Sequence, residues 1–245
     1  MQLIILVLTF FCGYLLQKKK LDFYSEVSAV LNRYGHWFEK QFDAHPWVQK
    51  WLGVSVFLLL PAFVIQVVFE LISGDNALIN ILLHVVLLTS FIRPLGHLFE
   101  ASEEQSATEK APFCMVQTTS LLFWYLALGP LGLVAVRLSY IQTLPKNVQD
   151  YMDKTHQWLE WLPVRLLILC YAVVGNFGQV VKVIGEEALS FENDSCDIET
   201  RAAKAALWPD FQEQERGSVQ QVYNALYARS LLCWLVVIAL MVLSV

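Results

Sequence analysis

The sequence predicts an all-α fold, a polytopic helical membrane protein with about five to six transmembrane helices and amphipathic helices on the cytoplasmic side. Three observations lead there. Of 245 residues, 56% are hydrophobic and 16% charged, where soluble domains are about one quarter charged. The apolar residues lie in blocks about as long as a bilayer is thick. Between the blocks stand turn formers, acidic runs and amphipathic stretches, so residues 1–245 read as a single integral membrane domain with spans near 1–16, 51–72, 77–92, 113–144, 162–184 and 226–245.

The first block is apolar from Met1 to Leu16 and is followed, not preceded, by Lys18, Lys19 and Lys20. That order is the reverse of a cleavable signal peptide and reads as an uncleaved anchor. Over residues 21–50, Tyr24, Val27, Leu31, Tyr34 and Phe38 recur at helical spacing, while Glu26, Arg33, Glu39 and Lys40 occupy other faces. This amphipathic helix either lies at the headgroup level or packs on the protein's own cytoplasmic helices, with His45-Pro46-Trp47 as its break.

Trp51 to Ile72 is the clearest span, about 33 Å long at 1.5 Å per residue. Pro61 is a place for it to kink. Ser73-Gly74-Asp75-Asn76 reads as a tight turn returning the chain through Ala77 to Ile92, a helical hairpin. Residues 100–111 are acidic and solvated. Phe113 to Leu144 would extend about 48 Å as one helix, too long for a single crossing, and Gly129-Pro130-Leu131-Gly132 is where it should bend or break. Residues 147–160 are amphipathic and run into Trp161-Leu162-Pro163-Val164-Arg165 and then Leu166 to Ile184. Arg165, Asn176, Gln179 and Lys182 make this the least apolar crossing. From Gly185 to Arg216 the chain is polar, with helix-forming composition over Glu199 to Leu207. Ser218 with Gln221 forms a capping-box pattern ahead of the last span, 226–245.

Charge orients the scheme. Lys18, Lys19, Lys20, Arg33, Lys40 and Lys50 all fall in one segment, which the positive-inside rule places in the cytoplasm with the amino terminus outside. A net charge of −5 and the lack of an aromatic-lined basic groove exclude nucleic acid as a default partner. Cys12, Cys114, Cys170, Cys196 and Cys233 show neither C-x-x-C nor Cys/His ligand spacing, which predicts buried thiols and no metal site or disulfide framework. No phosphate loop, Ser-x-x-Lys or His-Glu-x-x-His occurs, and no cofactor is expected.

Polar residues in apolar surroundings are the site candidates. Arg165 is either functional or a snorkelling residue near a helix end, since Pro163 fits a first helical turn. Glu160 and Glu70 are its candidate partners, although Glu160 lies five residues earlier, off the ideal face. His84 is either a proton or ligand group or a histidine hydrogen-bonded to a neighbouring helix. Trp158, Trp161 and Trp208 read as interfacial anchors.

Two stretches carry a resemblance. Ser120-Leu121-Leu122-Phe123-Trp124 with Gly129-Pro130-Leu131-Gly132 and Arg137, and Trp158-Leu159-Glu160-Trp161-Leu162-Pro163-Val164-Arg165-Leu166 continuing to Tyr171-Ala172-Val173-Val174-Gly175, resemble the AmpE family over roughly residues 113–184. That family comprises inner-membrane proteins of Gram-negative bacteria named as regulators in β-lactamase induction. It is related to the cobalamin-pathway synthase branch, CobD/CbiB. The sequence departs from the enzyme branch where that branch is acidic. Pro112, Phe113 and Val116 stand where its Glu, Asn and Asp would fall, Tyr140 and Thr143 where an Asn and an Asp are expected, and His156 and Gln157 where an acidic pair precedes the core. Joining an amine to a carboxylate with ATP needs carboxylates to hold metal.

The resemblance therefore implies a non-catalytic, multi-pass inner-membrane regulator. Its expected partners are the lipid bilayer, a membrane or cytoplasmic protein and an anionic small ligand. Arg165 and Arg137, with Glu160, Trp161, Pro163 and His84, would serve helix packing or ligand binding. A divergent amide-forming enzyme or small-molecule transporter, and a structural subunit of a membrane complex, are the alternative readings.

Overall fold

The computed structural model describes residues 5, 8, 9, 12, 23–42, 51–74, 76–91, 115–141, 146–185, 194–207, 223, 225–234 and 236. Among them every regular element is helical. The helices are α1 (Phe23–Phe42), α2 (Trp51–Ser73), α3 (Ala77–Phe91), α4 (Val116–Leu128), α5 (Pro130–Ser139), α6 (Lys146–Val174), α7 (Phe177–Ile184) and α8 (Ser195–Ala206). Residues 225–234 are helical too. By their contacts the chain gathers into two compact units. One comprises Met1–Leu95 and Ser120–Leu159, the other Gly96–Thr119 and Glu160–Val245.

In the first unit α1 is the amphipathic helix the spacing predicts, with Glu26 in its first turn and Lys40 in its last, each complementing the helix dipole. Phe38 is buried and Val27, Leu31 and Tyr34 are half-buried. The inward face meets α2: the Tyr34 and Phe57 rings stack at 5.0 Å, Phe38 meets Phe57 edge-on at 5.1 Å, and the Tyr34 hydroxyl donates to the Phe57 carbonyl at 3.2 Å. Low exposure favours the neutral phenol, so burial pushes Tyr34 up to about 12.

The hairpin turn forms as expected. Gly74 adopts φ +45°, and the Asn76 side chain caps α3 by accepting from the amides of Leu78 (3.1 Å) and Ile79 (3.4 Å). α2 packs chiefly on α5, and α3 lies against α1 and α5. α5 is the hub: Pro130, Gly132, Leu133, Val134, Val136, Arg137, Leu138 and Ser139 are all buried.

The break within 113–144 falls at Gly129, which adopts φ +67° and is followed by Pro130 at the helix start, where its missing N–H costs nothing. Gly132 then permits a close approach, since a Cβ there would lie 2.2 Å from the Trp124 carbonyl oxygen. Each half is shorter than a bilayer core: α4 and α5 extend about 20 Å and 15 Å at 1.5 Å per residue.

In the second unit the expected crossing at 162–184 is not one helix. α6 runs unbroken from Lys146 to Val174, so Pro163 lies in its interior and not in a first turn. The chain then turns at Gly175 and Asn176 into α7. A Cβ on Gly175 would lie 2.6 Å from the Ala206 carbonyl oxygen, and the Asn176 amide donates to that carbonyl at 2.9 Å. Asn176 caps α7 through the Gln179 amide (3.2 Å), and Asp194 caps α8 through the Cys196 amide (3.1 Å). α7 packs on α8, which realises the helix expected over Glu199 to Leu207.

Among the described residues two helices are long and apolar enough to cross a membrane, Trp51–Ser73 and Val148–Val174. Only 28% of the apolar window of the first is buried by the protein. Leu59, Leu60, Phe63, Val64, Val68, Leu71 and Ile72 are exposed along it. The expected spans at 1–16 and 226–245 lie largely outside the described residues, as do the break at His45-Pro46-Trp47, the acidic loop 100–111 and the capping pair Ser218 and Gln221.

Candidate functional site

An interior proline leaves the carbonyl four residues earlier without its helical donor. For Pro163 that carbonyl belongs to Leu159, and the Trp124 indole N–H donates to it at 2.7 Å. The Trp of one resemblance stretch thus satisfies the acceptor freed by the Pro of the other. Pro163 and Val164 are buried. One turn on, the Arg165 guanidinium carbon sits 5.4 Å from the centre of the Trp161 ring, a cation–π contact at i, i+4 spacing. An aromatic ring is thus one partner of Arg165, which charge pairing alone did not single out. Glu160 is buried at 7% exposure.

The other candidates lie in the first unit. Arg137 is buried at 8% exposure and donates to the Ser28 hydroxyl at 2.7 Å, tying α5 to α1. His84 Nδ1 lies 2.9 Å from the Tyr125 hydroxyl, with its ring edge-on to Phe69 and Tyr125. That is the helix-to-helix hydrogen bond of the simpler expectation.

Two residues singled out in the sequence meet here. Tyr140 and His156 are in ring contact at 4.2 Å between centroids, and His156 Nδ1 is 3.2 Å from the Ser139 hydroxyl.

The second unit holds a group that sequence reasoning missed. Glu199 has 0% exposure. Its Oε1 accepts from the Tyr171 hydroxyl at 2.6 Å and from the Tyr223 hydroxyl at 2.5 Å, while Oε2 is buried with no hydrogen-bond partner. Beside this pair the Tyr227 and Thr119 hydroxyls are 3.3 Å apart. Burial raises the carboxyl above its ordinary range, opposed by the hydrogen bonds from Tyr171 and Tyr223 and, last and least, by the Met115 backbone. Cys170 hydrogen-bonds Cys233 nearby on α6 and the last helix, and both thiols are free. The signal for Glu199 was present but faint. It lies on the face formed by Ser195, Ile198, Ala202, Ala203 and Ala206, whose small side chains do not read as a core stripe.

No family model matches the chain, nor does any curated protein or solved structure.

Proposed function

We propose that the chain is a multi-pass protein of the bacterial inner membrane with about five to six crossings, a non-catalytic regulator of the AmpE type acting in β-lactamase induction or cell-wall sensing. Membrane residence is supported by α2, whose apolar side chains are mostly left uncovered by the protein. In water that surface would be unfavourable at roughly 25 cal/mol per Å²; in lipid it is matched.

The observation that carries the non-catalytic reading is the contact between Tyr140 and His156. These positions lie between the two stretches that carry the resemblance, and their meeting supports a scaffold with an altered centre. The resemblance is further supported by the Trp124–Leu159 bond, which gives both motifs a packing role. Arg165 and Arg137 then serve helix packing or an anionic ligand.

The test is genetic and biochemical. Deletion of the gene should change the level of β-lactamase reached under an inducing β-lactam, and restoring the intact chain should reverse the change. Unchanged induction on deletion would sink the regulatory reading. ATP-dependent amide formation by the purified protein, or substrate flux in proteoliposomes, would replace it with an enzyme or a transporter.

A further inference from the structure

We propose that Glu199 is a proton-binding site, a neutral carboxylic acid at neutral pH with its proton on Oε2, and that this proton keeps α8 docked in the second unit. The inference goes beyond the regulatory reading and stands without it.

The hydrogen-bond pattern carries the assignment. A protonated carboxyl is asymmetric: a carbonyl oxygen with two lone pairs and a hydroxyl oxygen. Oε1 accepts two hydroxyls, from Tyr171 and Tyr223, as a carbonyl oxygen does. Oε2 has no partner and no access to water. A buried anionic oxygen without a donor is far more unfavourable than a neutral O–H in the same place. One bound proton resolves the imbalance.

Among the described residues no cation stands in for that proton. The groups acting on Glu199 are Tyr171 on α6, Tyr223 on the last helix and the Met115 backbone ahead of α4. Tyr227, from the last helix, adds a neutral hydroxyl beside Tyr171 and Thr119. Farther along α6, Cys170 pairs with Cys233, Arg165 lies over Trp161 and Glu160 is buried eleven residues before Tyr171. On α8 itself, Arg201 pairs with Asp197 at 3.3 Å, and Lys204 is exposed. The charged group of α7, Lys182, and Arg229 of the last helix are exposed as well.

Deprotonation would leave an anion in this enclosure with one oxygen unsolvated. Because the folded-state affinity for the proton exceeds that of the free side chain, docking is favoured in acid and weakens as pH rises through the folded pKa. α8 is suited to release, since its outward face carries Asp194, Asp197, Arg201 and Lys204 and is already water-compatible.

The experiment uses the full chain in lipid nanodiscs with ¹³C-carboxyl glutamate, read by infrared spectroscopy against pH. A protonated glutamate carbonyl band is expected at neutral pH. It should vanish in Glu199→Gln and shift, without vanishing, in Tyr223→Phe, which removes one of the two hydroxyls. Absence of the band at neutral pH, as a bound cation on Oε2 would produce, overturns the proposal. So does a band that survives Glu199→Gln. If that variant does not fold, a band indifferent to Tyr223→Phe overturns it alone. Amide exchange over residues 195–206, corrected for intrinsic chemistry, should then accelerate up to about tenfold per pH unit above the folded pKa. Indifference of that exchange to pH in the parent protein overturns the docking claim.

Discussion

Gly132 and Gly178 are both helical glycines, and they should answer the same substitution in opposite ways. A Cβ on Gly132 would collide with the Trp124 carbonyl at 2.2 Å, whereas the nearest atom to one on Gly178 is 3.8 Å away. Gly132→Ala is expected to destabilise by about 1–3 kcal/mol through a forced backbone shift. Gly178→Ala should be neutral or stabilise by up to about 1 kcal/mol from helix propensity. Thermal unfolding in detergent checks both, and a Gly132→Ala protein as stable as its parent would refute the close approach. Tyr34 gives a pH prediction. Its folded pKa, about 12, exceeds the unfolded value near 10, so its contribution is complete below about 10 and is lost as pH rises toward 12. Phenolate absorbance should show a step near pH 12 that Tyr34→Phe removes. At this scale the sequence was a partial guide. The Gly-Pro-Leu-Gly signal marks the corner because both residue types act on the backbone itself. Nothing in a sequence says which donor the carbonyl freed by a proline will find, so the Trp124 bond to Leu159 was beyond reach.

Among the elements, α6 and α2 make the sharpest claims. In the parent protein Trp124→Phe removes the only donor seen on the Leu159 carbonyl among the described residues. An unsatisfied carbonyl costs about 1–3 kcal/mol. In a Pro163→Ala background the restored N–H of residue 163 can take that carbonyl, so Trp124→Phe should cost less. A double-mutant cycle is expected to show coupling of about 0.5–3 kcal/mol, and additive costs would deny the joint. For α2, Phe63→Arg places a charge on an exposed apolar face near the helix centre. Insertion should become less favourable by about 2.5–3.5 kcal/mol, read as loss from the alkali-resistant membrane fraction; Phe63→Leu should leave that fraction unchanged. The long apolar run of α2 was plain from the sequence because a block from Trp51 to Ile72 interrupted only by Ser55, Gln66 and Glu70 has few other uses. The extent of α6 was not, because its first half is amphipathic, its second half is apolar and a proline stands between them. Each of those features signals a boundary when taken alone.

For the molecule as a whole, the membrane reading predicts that a reporter fused after residue 45 gives a cytoplasmic signal, and a periplasmic signal would invert the orientation. The all-helical architecture follows from composition, since a chain so apolar must satisfy its backbone internally. The grouping into two units had little counterpart in the sequence, because two of the three junctions fall inside α4 and α6 and not in polar linkers. The corner at Gly129 has one more consequence. Where α4 stops and α5 begins, the last carbonyls of one helix and the first amides of the other lack helical partners, and Leu128 beside them is 53% exposed. In a bilayer such a corner would have to sit against protein or water, so the turn at Gly129 limits where lipid tails could lie against this unit.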